Sequence, residues 1–257
     1  MKLTNEDLKI FLDFKYDQYN RPEYISDDPI SIPHRFSQKE DIEIAAFLTS
    51  VISWGKRKSI INSAHQLMKL MDDSPWQFIK YSSNKEIMQC GKFFHRTFNG
   101  MDCIYFVESL KNIYKKHGGL ENIFTNPISS GKTMKESIVD FRRLFLELRH
   151  PRHVEKHLSN PLKNSSAKRL NMFLRWMVRN DKRGIDFGLW QSIPASMLYC
   201  PLDVHTGRIG RKLGLLNRNS NDWKSVEELT SKLRTFDPLD PVKYDFALFG
   251  LGACEDF

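Results

Sequence analysis

The most reactive pairing the sequence offers is a lysine and an aspartate 35 residues apart, Lys168 and Asp203. Lys168 opens a segment in which Leu170, Phe173, Leu174, Met177 and Val178 recur at helical spacing, while Lys168, Arg175 and Arg179 fall opposite at i, i+7 and i+11. The spacing predicts a helix over 169–179 that buries one side and presents a cationic row. In the first turn of that helix a lysine meets the unfavourable end of the helix dipole, the direction a nucleophilic amine needs. The competing role is a solvent-facing lysine beside a phosphate. Asp203 follows Pro201-Leu202 and precedes a predicted helix over 204–213, where it is a good N-cap on local grounds alone. Gly207 and Gly210 leave part of that helix bare, so another helix or a nucleic-acid backbone could approach closely beside Arg208, Arg211 and Lys212.

Other constellations carry less. Gly131-Lys132-Thr133 has the ending of a phosphate-binding loop, but Asn126 stands where the leading glycine belongs and no strand precedes it. A helix-initiating turn is expected there. His150, His153 and His157 share a face at i, i+3 and i+7, but Pro151 interrupts the run, and Arg152 and Lys156 would repel a cation. No metal site is expected. The four cysteines, Cys90, Cys103, Cys200 and Cys254, are far apart and form no CxxC, which argues against a zinc ribbon or an iron–sulfur cluster. No cofactor is expected.

The strip Leu202-Asp203-Val204-His205-Thr206-Gly207-Arg208-Ile209, continuing to Leu213-Gly214-Leu215, resembles the segment after the hairpin in helix-hairpin-helix DNA glycosylases. There a V-D-T/V-H strip carries the catalytic aspartate. The resemblance implies an all-α fold of two helical lobes flanking a cleft, and a DNA repair glycosylase with abasic-site lyase activity acting on damaged double-stranded DNA, an oxidised purine being one candidate. It implies Asp203 and Lys168 as the catalytic pair, with Lys168 forming a Schiff base. His205, Arg208, Arg211, Arg175, Arg179 and Arg169 would hold nucleic acid, and Trp54 and Trp176 would line a base pocket. Two departures stand out. The Gly-rich hairpin of form L-P-G-V-G is missing, and the lysine-to-aspartate interval is long. In both respects the chain is similar to archaeal 8-oxoguanine DNA glycosylases. Lys182 is closer in spacing but sits in an expected exposed turn over 180–184. The whole chain also resembles an uncharacterised bacterial family marked by Asp-Pro-Ile-Ser-Ile-Pro-His (28–34) and Lys-Arg-Leu-Asn-Met-Phe-Leu-Arg-Trp-Met (168–177). The alternatives are a non-catalytic nucleic-acid-binding protein on the same scaffold and a helical protein–protein adaptor.

The elements that must position these residues read as helices. Helical periodicity marks 41–54, 59–71, 101–117, 133–149, 225–234 and 242–250, with a first helix after Thr4. Three prolines make 20–36 an extended loop, and 150–166 reads mainly as loop. With 257 residues and 40% hydrophobic content, the chain can bury a core as one domain or two. A terminal lobe of 1–45 plus 195–257 and a central lobe of 46–194 are expected, in a monomer. Positive charge is concentrated: 142–183 carries twelve Lys/Arg against three Asp/Glu, while the rest has 27 bases and 28 acids. A localised basic surface is the footprint of a phosphate-rich partner. Apolar runs are too short to span a membrane, and residues 1–7 show no signal-peptide pattern, so a cytoplasmic location is the default expectation.

Overall fold

The computed structural model describes residues 4–255. Residues 1–3 of the charged N-terminal segment and residues 256–257 of the expected terminal lobe lie outside the described residues. All regular structure among the described residues is helical, with two isolated β-bridges and no strand. No helix among them is long and apolar enough to cross a membrane.

α1 (Asn5–Tyr19) begins at Thr4, which forms a reciprocal capping box with Asp7. The proline-rich stretch 20–36 is not extended. It winds into three 3-10 turns, Pro22–Tyr24, Pro29–Ser31 and Pro33–Arg35, each opening on a proline whose fixed φ suits a first helical residue. α2 (Lys39–Ile52) is buried along most of its length, and α3 (Arg57–Leu70) buries Ile60, Ala64, Leu67 and Met68. α4 (Pro75–Tyr81) and α5 (Asn84–Ile87) lead to α6 (Gly100–Lys116), α7 (Leu120–Ser129) and α8 (Met134–Phe145). Thr133 caps α8, so Gly131-Lys132-Thr133 is a helix-initiating turn. Phe47, Phe106, Phe141 and Phe145 hold α2, α6 and α8 together, with ring centroids 4.8 Å apart for Phe106–Phe145 and 5.5 Å for Phe47–Phe141. α9 (Lys168–Val178), α10 (Val204–Lys212), α11 (Trp223–Phe236) and α12 (Tyr244–Cys254) complete the chain.

The chain divides into two compact units: a terminal unit, Met1–Tyr24 with Asn160–Phe257, and a central unit, Ile25–Ser159. The sequence-based boundaries at 45/46 and 194/195 fall elsewhere, because 25–45 belongs to the central unit and 160–194 to the terminal one. An ion pair and a hydrogen bond account for the second shift: Arg175 on α9 is tied to Asp245 on α12, and Arg179, at the end of α9, donates to the Tyr16 hydroxyl on α1. In the terminal unit α12 packs along both α1 and α10. Gly252 permits the second contact, since a Cβ there would stand 2.9 Å from the His205 Cβ. Leu8, Leu12, Leu202, Ile209, Leu229 and Leu248 are core residues of this unit.

Candidate amine–carboxylate site

Two helix starts in the terminal unit bring the lysine and the aspartate together. α9 begins after Ala167, whose φ of 48° is left-handed and whose methyl group provides no cap, and Lys168 is its first residue. α10 begins at Asp203, whose Oδ1 accepts the backbone N–H groups of His205 (2.9 Å) and Thr206 (3.0 Å). The Asp203 carbonyl accepts Asn221 Nδ2 at 3.0 Å, so its main chain is held as well. The cap leaves the second oxygen available: Oδ1 is occupied by the helix end, and Oδ2 faces Lys168 Nζ at 3.8 Å. That separation is an ion-pair contact, longer than a hydrogen bond. The amine also lies 3.5 Å from Met172 Sδ. The Lys168 side chain is 25% exposed and that of Asp203 20%, so both are reachable from solvent while mostly enclosed.

A buried ionic chain backs this pair. Asp245, on the first turn of α12, accepts Arg175 Nη1 at 2.6 Å. Arg175 Nε lies 3.3 Å from Asp186 Oδ1, and the Arg175 guanidinium sits 4.2 Å over the Phe246 ring. Asp186 is delivered by the segment packed on the C-terminal end of α9, where Phe187 N–H donates to the Trp176 carbonyl and Trp190 N–H to the Met177 carbonyl. Burial pushes the Asp245 carboxyl up to about 6, against the opposing pull of Arg175 and then Lys168, with Asp203 raising it further. The Lys168 amine therefore faces two carboxylates electrostatically, Asp203 at the rim and Asp245 beneath. Sequence pattern gave no signal for Asp245 or Asp186. An aspartate in the first turn of an apolar helix reads as ordinary dipole complementarity.

The other predicted site residues divide. His205 and Arg208 are exposed on α10, and each reaches the Gly252 carbonyl, at 3.0 and 3.1 Å. Arg211 is half-buried and donates to the carbonyls of Arg218 and Ser220 and to Asn221 Oδ1, so it clamps the loop after α10. Arg169 is half-buried next to Lys168, and burial draws its guanidinium down to about 10. Arg175 and Arg179 do not form a cationic row. Both are buried and neutralised, Arg179 by Asp240, Asp181 and Asp186 at 2.8, 2.9 and 3.1 Å. A guanidinium enclosed by carboxylates stays inside because its charge is matched there. Trp176 is fully buried in the core and cannot line an open pocket. Trp54 is a half-buried residue of the central unit. The bare surface at Gly207 is filled from within, since a Cβ there would meet Asn221 Oδ1 at 2.5 Å. His153 and His157 approach the two oxygens of the fully buried Asp102 at 3.3 and 3.1 Å, and no group among the described residues could hold a metal ion. Several cations of the basic stretch 142–183 are spent on internal pairs, including Arg142–Glu155 at 2.7 Å and Arg183–Asp17 at 2.5 Å.

Fold and site define an all-helical protein with a partly enclosed amine–carboxylate pair set at the heads of two helices. The chain belongs to the family described as "Protein of unknown function (DUF2400)", whose model matches residues 28–254. No curated protein and no solved structure matches it.

Proposed function

We propose that the chain is a DNA glycosylase with abasic-site lyase activity, using Lys168 as nucleophile and Asp203 as the carboxylate that stabilises the cationic sugar. The observation that carries this is the 3.8 Å approach of Lys168 Nζ to Asp203 Oδ2 across 35 residues of chain. A damaged base leaves the helical stack and enters the site. As the glycosidic bond breaks, the electron pair leaves with the base and positive charge grows on the sugar, opposite the Asp203 carboxylate. The Lys168 ammonium gives up a proton, for which Asp203 Oδ2 is the facing acceptor, and the freed amine attacks C1′. Ring opening then gives a Schiff base, and β-elimination expels the 3′ phosphate. His205 and Arg208, exposed one turn into α10, supply phosphate contacts beside the lesion.

Borohydride trapping on duplex DNA with a central abasic site tests this. The wild type is expected to give a covalent adduct, and Lys168→Ala none. Asp203→Asn keeps the helix cap, because an asparagine oxygen also accepts the His205 and Thr206 N–H groups, but removes the charge. It is expected to fold normally and to lose base excision by about 100-fold or more. A wild type that binds the duplex and never crosslinks, or a Lys168→Ala that crosslinks equally, overturns the assignment and leaves a non-catalytic DNA-binding protein.

A further inference from the structure

Two further segments of the central unit, apart from the basic stretch 142–183, pack on each other and carry exposed cations. The first, 53–71, contains Lys56, Arg57, Lys58 and Lys69 and no acid; the second, 88–101, contains Lys92 and Arg96 and no acid. His95 joins them, with Nδ1 2.8 Å from Ser63 Oγ on α3 and Nε2 3.3 Å from the Trp54 carbonyl. His95 and Phe98 exchange backbone hydrogen bonds of 2.8 and 2.9 Å, which makes Arg96-Thr97 the tip of a two-residue hairpin. Arg96 holds a left-handed φ of 57° there, a position glycine usually occupies. Its guanidinium lies 5.2 Å over the Trp54 ring, and its Nη1 stands 2.7 Å from where a Cβ on Gly55 would be. The arginine is thereby stacked next to Lys56, Arg57 and Lys58, all exposed. No carboxylate pairs with Lys56, Lys58 or Arg96 among the described residues. Phe94, two residues before Arg96, is 67% exposed.

We infer that the cluster of Lys56, Lys58 and Arg96 is a phosphate-backbone-binding surface for duplex DNA on the central unit. The choice of duplex DNA as the polyanion rests on the proposed glycosylase function. Lys56, Lys58 and Arg96, neighbouring cations without a carboxylate partner among the described residues, repel one another and are relieved by a polyanion, whose counterions they displace on binding. A guanidinium held over an indole ring is pre-positioned by cation–π attraction, and its fork of N–H donors matches phosphate geometry. The strained backbone at Arg96 is retained in a hairpin where glycine would sit without strain, so stability alone does not account for an arginine.

The test is fluorescence anisotropy with a labelled abasic duplex over a salt series, together with borohydride trapping on the same duplex. Lys56→Ala/Lys58→Ala is expected to weaken binding about 3- to 30-fold at low salt and to reduce the slope of log affinity against log salt by about 1 to 2. A charge-matched control, Lys85→Ala/Lys115→Ala, alters only exposed lysines elsewhere on the unit and should leave binding within about twofold. Arg96→Gly separates binding from folding: it relieves the left-handed backbone, so its melting temperature should hold or rise while its affinity falls about 3- to 10-fold. Wild-type affinity and slope in the double variant overturn the inference, as does an Arg96→Gly that binds normally. A wild type that binds with the expected slope but gives no adduct overturns the glycosylase assignment and leaves this surface standing. A wild type that binds no duplex overturns both.

Discussion

At the residue scale, Asp203 is divided by atom: one carboxylate oxygen belongs to the fold and the other to the site. That division explains how a helix cap identified on local grounds can also be the carboxylate facing Lys168. Asp245 is the residue whose behaviour is most open to measurement. Burial raises its carboxyl from an ordinary 3.8 to about 6, so the folded chain retains a proton between those values that the unfolded chain releases. The stability this group contributes is complete below about pH 4 and lost as pH climbs to about 6, a change of about 3 kcal/mol at most. Asn at position 245 cannot ionise. Relative to the wild type, Asp245→Asn should gain in urea stability across pH 4 to 6.5, and a difference that stays flat over that range rules out the raised carboxyl. Arg175 keeps Asp186 as a partner in the variant, so the guanidinium is not left without a counter-charge.

At the scale of elements, α9 shows what a sequence can and cannot reveal. Its helical register was legible from Leu170, Phe173, Leu174 and Met177, and the structure places the helix within a residue of the expected limits. Its polar face was misleading. Arg175 and Arg179 lie off the apolar stripe, but they are enclosed by carboxylates from outside the helix, at 181, 186, 240 and 245. Periodicity reports which side of a helix differs from the other, not what covers the second side. The helices it missed were short or disguised: α4 and α5 have seven and four residues, and α7 contains Pro127. The Lys168–Asp203 approach was legible only through the resemblance of the strip around Asp203, since no spacing rule links positions so far apart. Arg179 provides the test of the buried network. Arg179→Ala leaves Asp181, Asp186 and Asp240 without their shared cation and should cost about 3 to 5 kcal/mol in urea denaturation. Lysine supplies the charge but not the fork, so Arg179→Lys should recover only part of that loss. A stability change under about 0.5 kcal/mol in Arg179→Ala would instead fit a surface guanidinium.

At the scale of the whole molecule, the two units differ in how the chain builds them. The central unit is one continuous segment, Ile25–Ser159, whereas the terminal unit needs α1 and α9–α12 from opposite ends of the sequence. The central unit also has its own core, in which Phe47, Phe106, Phe141 and Phe145 pack from three helices. A continuous segment with its own core meets the physical condition for independent folding. The proposed chemistry and the proposed phosphate surface fall on different sides of this division, because Lys168 and Asp203 belong to the terminal unit and Lys56 and Arg96 to the central one. A fragment of residues 25–159 should therefore unfold cooperatively by circular dichroism and bind duplex DNA with a salt-dependent affinity. Lacking the Lys168 amine, it should give no borohydride-trapped adduct at any concentration. Its affinity should fall below that of the full chain by the share contributed by His205 and Arg208. A fragment that melts without cooperativity shows that the terminal segments are needed for the central core. One that folds but binds no DNA places the duplex contacts on the terminal unit alone.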